Sequence, residues 1–189
     1  MQIDYRGSAG YGKAFRNTIY PRIGLLEVED IRDAVAWLVK HQQGDAGHAG
    51  TYGCSYGGYL AYLSAFLAGD LFKAVAAANG WTDVAATMND NPYALLGTPD
   101  LNPAAFRDSS PLSHVEGLRG ELLILHNVDD SAVPFEYALR VVQRLLDLGK
   151  QGWNMVSYPT GDHCFGARPD LQLDAYRRTF QLFERELKP

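Results

Sequence analysis

The strongest chemical signal in this sequence is Gly53-Cys54-Ser55-Tyr56-Gly57, a G-x-S-x-G pattern continued by Gly58 and Tyr59. A strand-like run, Ala49–Gly53, enters it, and a helix of small and apolar residues, Tyr59–Ala68, leaves it. A serine at the centre of such a strand-to-helix turn sits on tight, strained backbone. The turn pushes its hydroxyl into the open and aims the helix N-terminus at it. Side chains two positions to either side would collide with the adjoining strand or helix, which Gly53 and Gly57 avoid. A chain with 19 glycines can also produce the pattern as a turn that binds nothing, and the strand and helix around it weigh against that. A serine hydroxyl is a poor nucleophile until a base takes its proton, and the base needs an acid to orient it. The chemistry to look for is therefore acyl transfer through serine, base and acid.

In α/β-hydrolase folds the three follow the order serine, acid, histidine. Of the five histidines, His41 and His48 precede Ser55, while His114 and His126 precede the best acids. His163 remains, in Thr160-Gly161-Asp162-His163-Cys164, after the strand-like Trp153–Tyr158. The acid should follow the apolar run Leu122–Leu125, where Asp129 and Asp130 stand side by side. Spacing does not choose between them, and in the blander reading they are a turn acid and a helix-capping acid.

The elements that must position these residues alternate between strand and helix. Val28, Ile31, Val35 and Leu38 form one helical face, with acids at its start and Lys40 and His41 at its end. Phe72–Ala78 reads as a buried strand. Residues 81–118 read as irregular, with Pro92, Pro99, Pro103 and Pro111. Ala138, Val141, Val142, Leu145 and Leu148 stripe another helix, and Leu171–Leu187 closes the chain as a helix. Such alternation predicts an α/β architecture, a mostly parallel sheet covered by helices on both faces, with chemistry at the carboxyl ends of the strands.

Composition agrees. The chain has 189 residues, 47% apolar and 21% charged, which is the balance of one folded domain rather than of a disordered chain. Seventeen basic against 22 acidic side chains leave a net charge of −5, which disfavours nucleic-acid binding. The apolar runs are far shorter than a membrane span of about 20 residues, and the first 30 residues show no signal-peptide core. The two cysteines, Cys54 and Cys164, form no disulfide framework or zinc motif. They are expected to be free thiols that fill space, the sharper alternative being a redox-sensitive pair beside the site.

Several stretches together resemble the catalytic domain of the prolyl oligopeptidase family of serine peptidases. They are Tyr5-Arg6-Gly7-Ser8-Ala9-Gly10-Tyr11-Gly12, Glu27-Val28-Glu29-Asp30, the Ser55 motif with Gly58-Tyr59, Ser109-Ser110-Pro111, the segment His126–Pro134, and Tyr158-Pro159 ahead of His163. The resemblance implies an α/β-hydrolase fold over residues 1–189 and peptide substrates, with no metal or organic cofactor. It implies Ser55 as nucleophile, His163 as base and Asp130 as its orienter, because the family acid stands in a D-x-x-V pattern that Asp130 and Val133 fit. It makes the Tyr56 N–H an oxyanion donor and suggests Tyr56, Trp81 and Val133 for the substrate pocket, although a structural role suits Trp81 equally. Asn127 departs from the glycine usual after the equivalent of His126.

The resemblance also implies absent parts. Family members usually carry a β-propeller, opening hydrolase strands and a second oxyanion donor ahead of the Tyr5 segment. The chain is therefore expected to be a portion of a longer protein and weak or dead as an isolated enzyme. An esterase or lipase of the same fold, or an inactive fragment, are the alternatives.

Overall fold

A computed structural model describes residues 3–86 and 95–188. Four strands, β1 (Ala49–Cys54), β2 (Phe72–Ala78), β3 (Glu121–Asn127) and β4 (Trp153–Tyr158), form one sheet in the order β1-β2-β3-β4. All three pairings are parallel. Helices α1 (Gly12–Arg16) and α2 (Leu25–His41) precede the sheet, and α3 (Tyr56–Leu67) joins β1 to β2. Next come α4 (Pro103–Ser109) and a 3-10 segment, Pro111–Gly117, then α5 (Glu136–Asp147) between β3 and β4, and finally α6 (Pro169–Glu186).

Strand alternation sends side chains to two cores. Val75, Ala77, Leu122 and Ile124 meet α2, α3 and α5 on one face. Ala74, Ala76, Ala78, Leu123 and Leu125 meet α6 on the other, through Ala175 and Leu182. Such double burial suits a strand with alanine at four of its seven positions, which lets the helices approach the sheet closely.

Two expectations change. Residues 81–118 are not wholly irregular, because Pro103 and Pro111 occupy first-turn positions of α4 and the 3-10 segment, where a missing N–H costs nothing. Pro92 lies outside the described residues. The apolar run 122–125 understates β3, which continues through His126 and Asn127 opposite Ser157 and Tyr158. The segment around Tyr5 forms no strand. Arg6 clamps it to α2 instead, donating from its backbone N and Nε to Asp30 at 2.7 and 2.8 Å and from a guanidinium nitrogen to Glu29 at 3.1 Å.

Candidate active site

Ser55 sits between β1 and α3 with φ 60° and ψ −121°, a left-handed backbone that few side chains adopt. It is held there from both sides, its N–H donating to Ala78 O at 3.0 Å and its carbonyl accepting from Tyr59 N at 2.9 Å. Two glycines let the chain turn this sharply. A Cβ at Gly53 would lie 2.2 Å from Gly57 O, and one at Gly58 would lie 2.2 Å from Ala78 O. The motif's own second glycine, Gly57, faces open space, so the steric demand falls one residue later than the pattern suggests.

His163 Nε2 lies 2.8 Å from Ser55 Oγ. Its Nδ1 lies 2.9 and 3.1 Å from the two carboxylate oxygens of Asp130. The side chain of Asp130 is fully buried, and both its oxygens have further partners. Oδ1 accepts from the N–H groups of Ala132 and Val133 at 2.9 and 2.8 Å, and Oδ2 accepts from Asn79 Nδ2 at 2.6 Å. Asn79, buried with φ 47° just past β2, thus links the strand beside Ser55 to the acid.

Asp129 faces the other way and stitches the histidine loop. It accepts from Thr160 Oγ1, Gly161 N and Asp162 N at 2.9, 3.2 and 3.0 Å. Asp162 returns the contact, accepting from Ser131 Oγ and N at 2.7 and 3.2 Å. These donors hold both carboxyls below their ordinary pKa, the Asp162 N–H contributing most for Asp129 and the Ser131 hydroxyl for Asp162. Asn127 adds a bond to Asp162 O at 2.7 Å, filling the room that a glycine would leave. His126, buried against Val133 O at 2.9 Å, has its pKa lowered, chiefly by desolvation.

The expectation of free thiols does not hold. Cys54 and Cys164 form a disulfide, their Cα atoms 6.0 Å apart across 110 residues of sequence. The fold brings together two internal positions that no sequence periodicity relates.

Tyr56 begins α3, so its N–H is one of the helix's unpaired first-turn donors, next to Ser55. Its phenol donates to Glu27 Oε1 at 2.5 Å. Burial, and then Glu27, push that phenol far above its ordinary pKa. Burial also raises Glu27, which is wholly inaccessible on α2 with its Oε2 unpartnered. Trp81 stands perpendicular to Tyr56, ring centres 6.0 Å apart. With Tyr5, Ile19, Ile23 and Glu27, the two aromatics line a cavity of about 610 Å³ that begins one residue from Ser55. Val133 is not on that lining; its side chain joins the core and its N–H serves Asp130. Sequence reasoning gave no role at the site to Glu27 or Asn79; Asn127 stood out as a departure that would tighten or re-aim the acid's loop, and its bond to Asp162 O ties that loop to the histidine loop. Glu27 was findable, because it continues the apolar face of α2 one turn ahead of Ile31, where an acid is out of place. Among the described residues no group of three His, Cys, Asp or Glu side chains is gathered to hold a metal ion.

A parallel sheet with helices on both faces and a strained serine between strand and helix defines the α/β-hydrolase class. The acylaminoacyl peptidase of Pyrococcus horikoshii superposes with a TM-score of 0.85 at 28% identity, over 97% of this chain and 31% of that one. The sequence model of the prolyl oligopeptidase family matches residues 1–189, and the chain belongs to that family. Dipeptidyl peptidase 4 of Bos taurus is 30% identical over 165 residues, 85% of this chain and 21% of that protein. A protein of Mus musculus named inactive dipeptidyl peptidase 10 is 30% identical over 149 residues, 78% of this chain and 19% of that protein. The chain thus spans about a fifth of the length of these two relatives.

Proposed function

We propose that the chain is the catalytic portion of a serine peptidase. The observation carrying this reading is the continuous path from Ser55 Oγ through the His163 ring to buried Asp130, with contacts of 2.8 and 2.9 Å. Ser55 Oγ attacks the peptide carbonyl while His163 Nε2 takes its proton. The charge that develops on the carbonyl oxygen meets the Tyr56 N–H at the start of α3. His163 then gives the proton to the leaving amine, and the acyl group stays on Ser55. Water, deprotonated by the same nitrogen, releases the acid product and restores the serine. Asp130 keeps Nδ1 protonated, so that Nε2 faces the serine as an acceptor, and steadies the imidazolium. The cavity beside Tyr56 and Trp81, which Arg6, Arg16, Asn17 and Glu27 also line, takes the side chain preceding the scissile bond.

A fluorophosphonate probe tests this directly. The expected result is a covalent adduct at Ser55, absent in Ser55→Ala, with slow but Ser55-dependent cleavage of peptide nitroanilides as well as nitrophenyl esters. A folded chain that takes no adduct overturns the reading. That outcome would favour a non-catalytic protein, the reading supported by the relative named inactive.

A further inference from the structure

Two flanking positions set this site apart. Cys54 is the residue immediately before Ser55, and Cys164 is the residue immediately after His163. Their disulfide therefore joins the backbone of the two groups whose contact must be shortest.

The hydrogen bonds around it show why a covalent link matters here. The loops of His163 and Asp130 are tied to each other by the bonds of Asp129, Asp162 and Asn127. These two loops are therefore bound into one unit, which Asn79 also ties to the end of β2. Between that unit and the serine turn, residues 53–57, the described residues give one hydrogen bond, Ser55 Oγ to His163 Nε2. Among the described residues, the disulfide is the side-chain covalent link across the same gap. The histidine loop also needs support, because Asp162, Cys164 and Phe165 all have φ between 51° and 63°. Such backbone persists only where its surroundings over-determine it.

We propose, resting on the serine peptidase reading above, that the Cys54–Cys164 disulfide is a positioning element for the reaction. It holds His163 against Ser55, so its reduction slows acylation while the fold remains. Both cysteines are partly exposed residues, and reduction by a small dithiol is the perturbation the proposal uses. A reductant thiolate attacks one sulfur, breaking the S–S bond and forming a mixed disulfide, and the protein's other sulfur leaves and takes a proton. The reductant's second thiolate then closes its own disulfide and releases the first cysteine as a thiol. Two electrons pass from the dithiol to the protein. A displacement of about 1 Å between reacting groups costs on the order of 10²-fold in rate, so a small relaxation of the loop is enough.

The test is the rate of fluorophosphonate labelling of the full chain, oxidised and after treatment with dithiothreitol, with thiols counted by a chromogenic disulfide and fold followed by far-UV circular dichroism. Reduction is expected to slow labelling about 10- to 100-fold, to leave the dichroism unchanged and to be reversed by reoxidation. The double variant Cys54→Ala/Cys164→Ala should label at the reduced rate with or without dithiol. With a peptide nitroanilide, kcat should fall while KM holds, since the cavity of Tyr56 and Trp81 takes no part in the link. Equal labelling of oxidised and reduced chains overturns the proposal. So does loss of the dichroism together with labelling, which would make the bond a staple of the whole fold. An oxidised chain that never labels sinks the peptidase reading itself, whereas normal labelling indifferent to dithiol sinks only this inference.

Discussion

Replacing Asp130 with asparagine separates the acid's charge and proton preference from its shape. Oδ1 receives two backbone N–H groups, from Ala132 and Val133, so the new amide oxygen is best placed there. The amide nitrogen then takes the place of Oδ2, 2.9 Å from His163 Nδ1 and 2.6 Å from Asn79 Nδ2. Facing His163, it donates to Nδ1 and drives the ring into the tautomer whose Nε2 carries the proton, so Ser55 loses its acceptor. The rate cost of this tautomer error is on the order of 10⁴, about 5 kcal/mol of barrier. Facing Asn79, two amide donors meet, and stability falls by about 1–3 kcal/mol unless the Asn79 amide turns over. Adding Asn79→Asp supplies an acceptor at that contact, so the double variant should recover stability without recovering rate. Fluorophosphonate labelling rates and urea midpoints measure the two effects separately. Asp130→Asn labelling within tenfold of the parent would refute the reasoning, as would a double variant that regains rate.

Three further outcomes are expected. Gly58→Ala drives a Cβ to 2.2 Å from Ala78 O and should cost about 1–3 kcal/mol or more, whereas Gly57→Ala faces open space and should stay within about 0.5 kcal/mol; thermal unfolding compares them. Glu27→Ala leaves the buried Tyr56 phenol without its acceptor and should cost about 1–3 kcal/mol. Glu27→Gln keeps an acceptor; because burial raises Glu27, the unfolded chain loses that proton first as pH climbs, so the parent loses stability with rising pH and the glutamine variant escapes that loss, visible in urea unfolding at pH 5 and 8. Asp129 and Asp162, held below the ordinary carboxylate pKa, contribute their stitching above about pH 4 and lose it as pH falls through their lowered values. Protection of the Gly161 and Asp162 amides in hydrogen exchange should therefore drop at acid pH before that of Leu123–Leu125.

Much of the scaffold could be read from the sequence because its signals are local. The stripes of α2 and α5 and the strand-then-helix context of Ser55 each depend on a few adjacent residues. Where reading stopped short, a polar residue had a partner far away in sequence. His126 and Asn127 break the apolar run of β3, yet they sit in the sheet because Val133 O and Asp162 O receive their nitrogens. Asp129 and Asp130 are adjacent and chemically alike; what separates them is that one points inward to Asn79 and the other outward to the loop at 160–162. The disulfide lay beyond reach for the same reason, since Cys54 ends β1 at one edge of the sheet and Cys164 stands in the loop after β4 at the other, and they meet only once the whole sheet is assembled.

The alanine floor of β2 has a wider consequence. With Ala74, Ala76, Ala77 and Ala78 fully buried between helices on both faces, nothing at the sheet's centre can grow without lifting a whole helix. Lifting α3 would carry the serine hydroxyl with it. Substitutions that reshape the cavity without disturbing the sheet are therefore confined to the loops beyond the strand ends and to the cavity wall, where bulk can change while the height of the Ser55 hydroxyl stays fixed.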